Sequence, residues 1–230
     1  MLMALYNGRR IRAEIAGSGA IGRCPWTDLK VRAHVGAIRQ YWAYEGGAPR
    51  FERGYEPESD WHLSWKALVR DDCCEVVFGE NREHRADILG AEDSVIEIQR
   101  SVIDVRDSRE RVDFYRSQTG RRVVWVVDIR EFWLKRFSLG RRDEKGNYKV
   151  EWKPRRTWLW ELAATPHTNL YLEFNHRNDK LLHAWVHGRE LYAKYVSKRD
   201  FFIRYMDAVA LPGYRGFSDA ALALLTDPGR

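Results

Sequence analysis

The chain has 230 residues, 44% of them hydrophobic and ten of them tryptophan, enough to bury the core of one domain, or of one domain with a small appendage. No run of eighteen apolar residues occurs, which argues against a membrane-spanning helix. Arg9, Arg10 and Arg12 interrupt the start before a signal-peptide pattern develops. Three cysteines, two of them adjacent as Cys73 and Cys74, make no disulfide framework, so a reducing cytoplasm is the expected location. The net charge is +6 and unevenly spread.

In chain order, residues 1–47 read as a small mainly-β module, with short strand-like runs at 10–15 and 30–35 between turn signals. Residues 46–57 hold Gly46, Gly47, Pro49, Gly54 and Pro57 and read as a linker. Pro57 suits a helix entrance, where its missing N–H costs nothing. The pattern then predicts a helix over 58–69, with Glu58, His62 and Lys66 recurring every four residues on one stripe. Trp61, Trp65 and Leu68 form an apolar stripe beside it. Strands are expected at 73–78, 85–89 and 94–99. A second helix is expected over 107–118, closed by Gly120. The apolar run 123–128 has the character of a strand buried on both faces. Further strands are expected at 169–174 and 181–186, then an amphipathic helix around 199–209 and a short Ala/Leu helix near the C-terminus.

The strands at 85–89 and 94–99 flank a turn at 90–93 and form a hairpin. A turn symmetric about Glu92 sets Asp87 across from Glu97 and Ile88 across from Ile96. Side chains alternate along each strand, so Asp87, Glu97 and Gln99 point one way, and Ile88, Ile96 and Ile98 point into a core. Two adjacent carboxylates raise each other's pKa unless a cation compensates them, and a divalent metal is the simplest such cation. The bland alternative, a solvent-facing pair of acids, would destabilise the sheet.

Together these pieces resemble the competence protein CoiA-like branch of the PD-(D/E)XK nuclease superfamily. The matching residues are Glu58-Ser-Asp-Trp-His62-Leu-Ser-Trp-Lys66, then Ala86-Asp87-Ile88, then Glu97-Ile-Gln99-Arg-Ser101, with Arg111 and Tyr115 on the following helix. The likeness covers roughly residues 22 to 128. It implies an α/β fold: a restriction-endonuclease-like core, with a mixed central β-sheet flanked by helices. On this reading residues 55–230 form the nuclease-like domain behind the small N-terminal module. Asp87, Glu97, Gln99, Glu58 and His62 are the expected catalytic set. Mg²⁺ or Mn²⁺ would be held by Asp87, Glu97, the Ile98 carbonyl and Glu58. Mg²⁺ prefers oxygen ligands and needs only one or two carboxylates from protein.

Gln99 stands where most of the superfamily has lysine; its amide can position a water or a phosphate oxygen but cannot act as a base. Glu58 is equally well read as a first-turn acid favoured by the helix dipole. His62 has a structural alternative too, as a hydrogen-bonding helix residue, and Tyr115 as a core residue. Relatives in this branch carry a zinc module where this chain has Cys24-Pro25-Trp26-Thr27 and Tyr41-Trp42-Ala43-Tyr44. One of four ligands survives, so no zinc is expected, and aromatic packing is expected in its place.

Residues 135–156 hold nine lysines and arginines against three acids, a net +6 that equals the whole-chain excess. This basic hairpin suits a phosphate backbone, although a solvated hairpin kept soluble by its charges would look the same. Lys66, Arg111, Tyr115, Arg141, Arg142, Arg155 and Arg156 are the expected nucleic-acid contacts. DNA is the expected substrate and no membrane contact is expected. A homodimer, or a partner protein from a DNA-processing or defence system, would fit the resemblance. The second reading is a DNA-binding accessory protein for recombination, DNA uptake or defence with little turnover.

Overall fold

The computed structural model describes residues 1–37, 39–47, 58–100, 102–152 and 157–211. Most of the 46–57 linker, with Pro57, lies outside the described residues, as do Ser101, Arg155, Arg156 and the C-terminal Ala/Leu segment.

The first 47 residues form a five-stranded antiparallel sheet in the order β2-β1-β3-β4-β5. Its strands are β1 (Met3–Tyr6), β2 (Arg9–Arg12), β3 (Ile21–Arg23), β4 (Lys30–Val35) and β5 (Gln40–Tyr44). Asn7 and Gly8 join β1 to β2 with φ of 49° and 74°, the paired left-handed conformation that an Asn-Gly hairpin turn favours. The strand expected over 10–15 stops at Arg12. Ala13–Ala16 instead turns into the short helix α1, closed by the Gly17 N–H on Ala13 O at 3.1 Å. Two alanines and a glutamate favour helix once the sheet edge is reached.

Cys24, Val31, Ala33, Trp42 and Tyr44 pack as a small core, and the Tyr44 hydroxyl lies 3.2 Å from Cys24 Sγ. Aromatic rings do therefore pack around the one surviving cysteine, as expected. Gly22 permits this: a Cβ there would sit 2.8 Å from Leu5 O and 3.1 Å from the Trp42 ring.

The remaining chain builds a nine-stranded sheet in the order β10-β11-β14-β13-β12-β9-β8-β7-β6. These are β6 (Cys74–Phe78), β7 (His84–Gly90), β8 (Ser94–Gln99), β9 (Arg122–Asp128), β10 (Phe137–Arg142), β11 (Tyr148–Trp152), β12 (Thr168–Glu173), β13 (Lys180–His187) and β14 (Glu190–Ser197). The three central strands β8, β9 and β12 run parallel, and the other pairs are antiparallel. The chain is thus mixed α/β, with a large mixed sheet and five helices among the described residues.

Helices cover both faces. Helices α2 (Asp60–Lys66) and α5 (Lys198–Tyr205) pack Trp61, Trp65, Phe201 and Phe202 against Ile88, Ile96, Ile98, Val124 and Val126. On the opposite face, α3 (Val105–Thr119) and α4 (Thr157–Ala164) pack Tyr115, Leu159 and Leu162 against Val95, Val123, Trp125 and Val127. Residues 123–127 are fully buried, as expected of a strand covered on both faces. Gly120 closes α3 in the left-handed conformation, with φ of 71°.

Two boundaries move. The helix expected over 58–69 spans only Asp60–Lys66, because Ser59 Oγ accepts the His62 N–H and caps it there. Glu58 therefore precedes the helix rather than lying on its stripe. At the other end Val69 leaves to bridge Ala210. The helix expected over 199–209 ends at Tyr205 and is followed by a 3₁₀ turn, Asp207–Val209. Neither α4 nor β14 follows from the linear pattern. In α4, Trp158, Leu159, Trp160 and Leu162 are apolar nearly all round, which hides helical periodicity.

Candidate active site

The hairpin has the expected register: Ile88 pairs with Ile96, Leu89 with Val95 and Gly90 with Ser94. Beyond Ile88 the ladder opens, and Asp87 Oδ2 accepts the Ile98 N–H at 2.9 Å. This bond places the Asp87 carboxylate between the strands. Its other oxygen, Oδ1, lies 3.0 Å from His62 Nε2 and 3.9 Å from Lys66 Nζ, both on α2.

Glu97 faces the other helix layer. Arg111 donates to Glu97 Oε2 at 2.7 Å and the Tyr115 hydroxyl to Oε1 at 3.1 Å, both from α3. The two acids are thus reached from opposite sides of the sheet rather than sharing one face, because Asp87 is turned into the strand gap.

Lys66 is the central cation. Its ammonium lies 2.7 Å from Glu58 Oε1 and 2.5 Å from Glu75 Oε1 and is wholly buried. Glu75, on β6 with a φ of 51°, also accepts the N–H groups of Leu2 and Met3 at 2.8 and 3.0 Å. The N-terminal sheet is therefore tied to this cluster. Arg10 and Arg12 add bonds to Asp71 O and Asp71 Oδ1, each at 2.5 Å.

The electrostatics separate the two acids of the hairpin. Burial alone would raise the Asp87 pKa; the charge and hydrogen bond of His62, then Lys66 and the Ile98 N–H, outweigh it and hold the carboxyl well below the usual range. Glu97 goes the other way. Burial, opposed by Arg111 and reinforced by the Asp87 charge, pushes it up to about 7. Glu58 and Glu75 are desolvated as well, yet Lys66 brings both down, Glu75 to about 2.

A raised acid stabilises the fold only while protonated. In chelator, the Glu97 contribution is thus complete below its unfolded pKa and lost as pH climbs to about 7. It amounts to on the order of 3–4 kcal/mol. Urea unfolding between pH 4.5 and 7.5 measures it, and Glu97→Gln is expected to remove that dependence.

Not every residue expected at the site can meet a substrate. Lys66 and Tyr115 are completely buried, so neither can touch a nucleic-acid backbone; both instead hold carboxylates in place. Arg111 stays partly exposed while bonded to Glu97. Gln99 follows Glu97 at the end of β8, half-buried. Arg141 and Arg142 are exposed at the end of β10, away from the acids in sheet order.

Two groups were not foreseen from sequence. Glu75 and Arg85 complete the ion cluster, Arg85 lying 4.0 Å from Glu58 and over the Trp26 ring at 5.2 Å. Farther along the same helix layer, Glu173 Oε2 accepts from Trp61 Nε1 at 2.6 Å and Trp65 Nε1 at 3.1 Å. Its Oε1 meets Lys198 and, at 3.0 Å, His176 Nδ1. The signal available was an acid inside an apolar strand run, Val-Val after Glu75 and Leu-Tyr-Leu before Glu173, since buried charges persist only when paired. Glu173→Ala is expected to destabilise the protein by about 3–5 kcal/mol in urea unfolding, because it removes the buried carboxylate that balances Lys198 and accepts from two indole N–H groups.

Oxygen donors of the kind a small hard cation prefers are present in Asp87, Glu97 and Glu58, but each is engaged within the chain, and Glu58 Oε2 lies 3.4 Å from the Met1 ammonium. Among the described residues no three His, Cys, Asp or Glu side chains converge as a cage. Arg111 would have to share Glu97 with an ion bound here. No protein-family model matches the chain, and no match was found among the curated proteins or the solved structures.

Proposed function

We propose that the chain is a metal-dependent nuclease of restriction-endonuclease-like architecture that hydrolyses phosphodiester bonds, with DNA as its substrate. The observation that carries this reading is the pair Asp87 and Glu97. They stand where β7 and β8 part, one held as a carboxylate and the other pushed up to about 7. Separated pKa values on neighbouring acids are a mark of catalytic sites. Bound Mg²⁺ or Mn²⁺ would polarise a phosphoryl oxygen and acidify a coordinated water.

The chain's own residues would orient and hold. The Ile98 N–H and His62 fix the Asp87 carboxylate, and Arg111 and Tyr115 fix that of Glu97. The Gln99 amide would position a water or a phosphate oxygen. Asp87, Glu97, the Ile98 carbonyl and Glu58 remain the proposed ligand set, with Glu58 the member most firmly engaged elsewhere, by Lys66.

The test is incubation of purified protein with single-stranded DNA, duplex DNA and RNA in Mg²⁺ or Mn²⁺. Cleavage abolished by chelator is expected. No cleavage of any of these substrates sinks the reading. One observation favours an alternative, a DNA-binding accessory protein without turnover: each acid of the cluster already has a cationic or hydrogen-bonding partner within the chain. Salt-dependent binding of uncleaved DNA would identify that case.

A further inference from the structure

Helix α5 covers only part of its sheet face. Tyr171, Leu181 and Val196 pack beneath it, with Phe201 edge-on to Tyr171 at 4.8 Å. Beyond that edge the same face continues across β13 and β14 as a row of rings. His183 stacks on Tyr171 at 4.8 Å and 23°, and Trp185 follows His183 at 5.8 Å. Tyr192, opposite Trp185 in the register, stacks on it at 6.4 Å and 21°, and His187 closes on Tyr192 at 6.2 Å.

Trp185 and Tyr192 are partly exposed, and His187 and Lys194 are exposed, among the described residues. Solvent-facing positions on an antiparallel sheet are ordinarily polar, so a ring row continuing past its covering helix asks for an occupant.

The surroundings indicate which occupant. Trp185, His187 and Tyr192 form the floor of a cleft of about 520 Å³, whose wall is the turn between β10 and β11, with Lys145 and Asn147. That volume accommodates a nucleobase with its sugar. Cations flank it: Lys149 lies across from Tyr192, Lys194 across from His183, and Arg141 and Arg142 are exposed at the end of β10. Acids share this rim. Asp143 accepts from the Lys145 and Asn147 N–H groups, which keep it ionised, and Glu144 is exposed on the tip. Glu190 pairs with Lys149 at 3.3 Å. Five cations (Arg141, Arg142, Lys145, Lys149 and Lys194) thus stand against three acids, a net positive rim.

Flat rings in series bordered by cations match unpaired bases joined by phosphates. A duplex, with its bases stacked on each other, offers the rings nothing to stack on.

We propose that this face of β13 and β14 is a binding platform for single-stranded nucleic acid, with bases stacked on Trp185 and Tyr192 and the backbone running past Lys194 and Lys149. The platform is separate from the acid cluster and its binding needs no metal, so it can be tested apart from cleavage.

The experiment titrates the full chain, in chelator, with a fluorescein-labelled oligothymidylate of fifteen nucleotides and with a duplex of equal length. The oligothymidylate is expected to bind more tightly and to quench tryptophan fluorescence. Trp185→Ala and Tyr192→Ala are each expected to weaken binding roughly tenfold, whereas Trp185→Phe and Tyr192→Phe, which keep the rings and guard against misfolding, hold it within about threefold. Lys194→Ala is expected to lower the salt dependence by about one ion. Equal affinity in the alanine variants overturns the proposal, as does equal or tighter binding of the duplex. A dimer of the wild type that Trp185→Ala disperses would assign the face to a second copy and overturn it as well.

Discussion

Asp87→Asn is expected to reduce metal-dependent cleavage by about a thousandfold, since a bound cation supplies several kcal/mol to a phosphoryl transition state and each 1.36 kcal/mol is tenfold in rate. Asparagine keeps an oxygen that can accept the Ile98 N–H at 2.9 Å, so the strand gap should persist. What it loses is the charge facing His62 and Lys66. Glu97→Gln should give a comparable loss; its single amide oxygen can still accept from Arg111, while its NH2 takes the place of the oxygen that Tyr115 now donates to. Calorimetric titration with Mn²⁺ is the companion measurement. Weakened metal binding in both variants, with the native circular dichroism spectrum retained, assigns the loss to the site. Full cleavage by either variant would remove these acids from the chemistry.

Lys66→Met is expected to destabilise the protein by about 3–5 kcal/mol at neutral pH in urea unfolding, because it leaves Glu58 and Glu75 buried without their shared cation. Both acids are held below their ordinary range by Lys66, against burial. Depressed acids add stability that is complete above the unfolded pKa of about 4.3 and is lost as pH falls through the folded values. The wild-type protein should therefore weaken between about pH 4.5 and about 2. In Lys66→Met the same carboxyls would take protons to escape burial, so its deficit should shrink on acidification. A deficit independent of pH would mean that methionine packing, not charge, sets the cost.

Much of the central hairpin was legible because it depends on local rules. Alternation and a short turn define the pairing of Ile88 with Ile96, and the burial of Ile88, Ile96 and Ile98 follows. The burial of Trp61 and Trp65 likewise followed from helical spacing, whereas Leu68 is buried beyond the end of the helix. Legibility ended where a side chain's direction depends on distant partners. Asp87 was expected to share a face with Glu97, but the Ile98 N–H and His62 draw it into the strand gap. Lys66 looked like a substrate contact from its spacing to His62; only the arrival of Glu75 from β6 shows why it is buried. Glu173 pairs with Lys198 and two indoles more than a hundred residues upstream, which no local window can relate.

By itself, then, the sequence determined the elements around the hairpin, the apolar faces that bury them, and the acids Asp87 and Glu97 at its centre. These follow from spacing and turn chemistry within about twenty residues. Tertiary structure alone decided which cation balances each acid, and that the N-terminal sheet reaches the cluster through Leu2, Met3, Arg10 and Arg12. It also decided that a row of rings runs past α5 on β13 and β14. The reason is physical: charge compensation and stacking act through space between residues far apart in sequence, whereas alternation and capping act between neighbours.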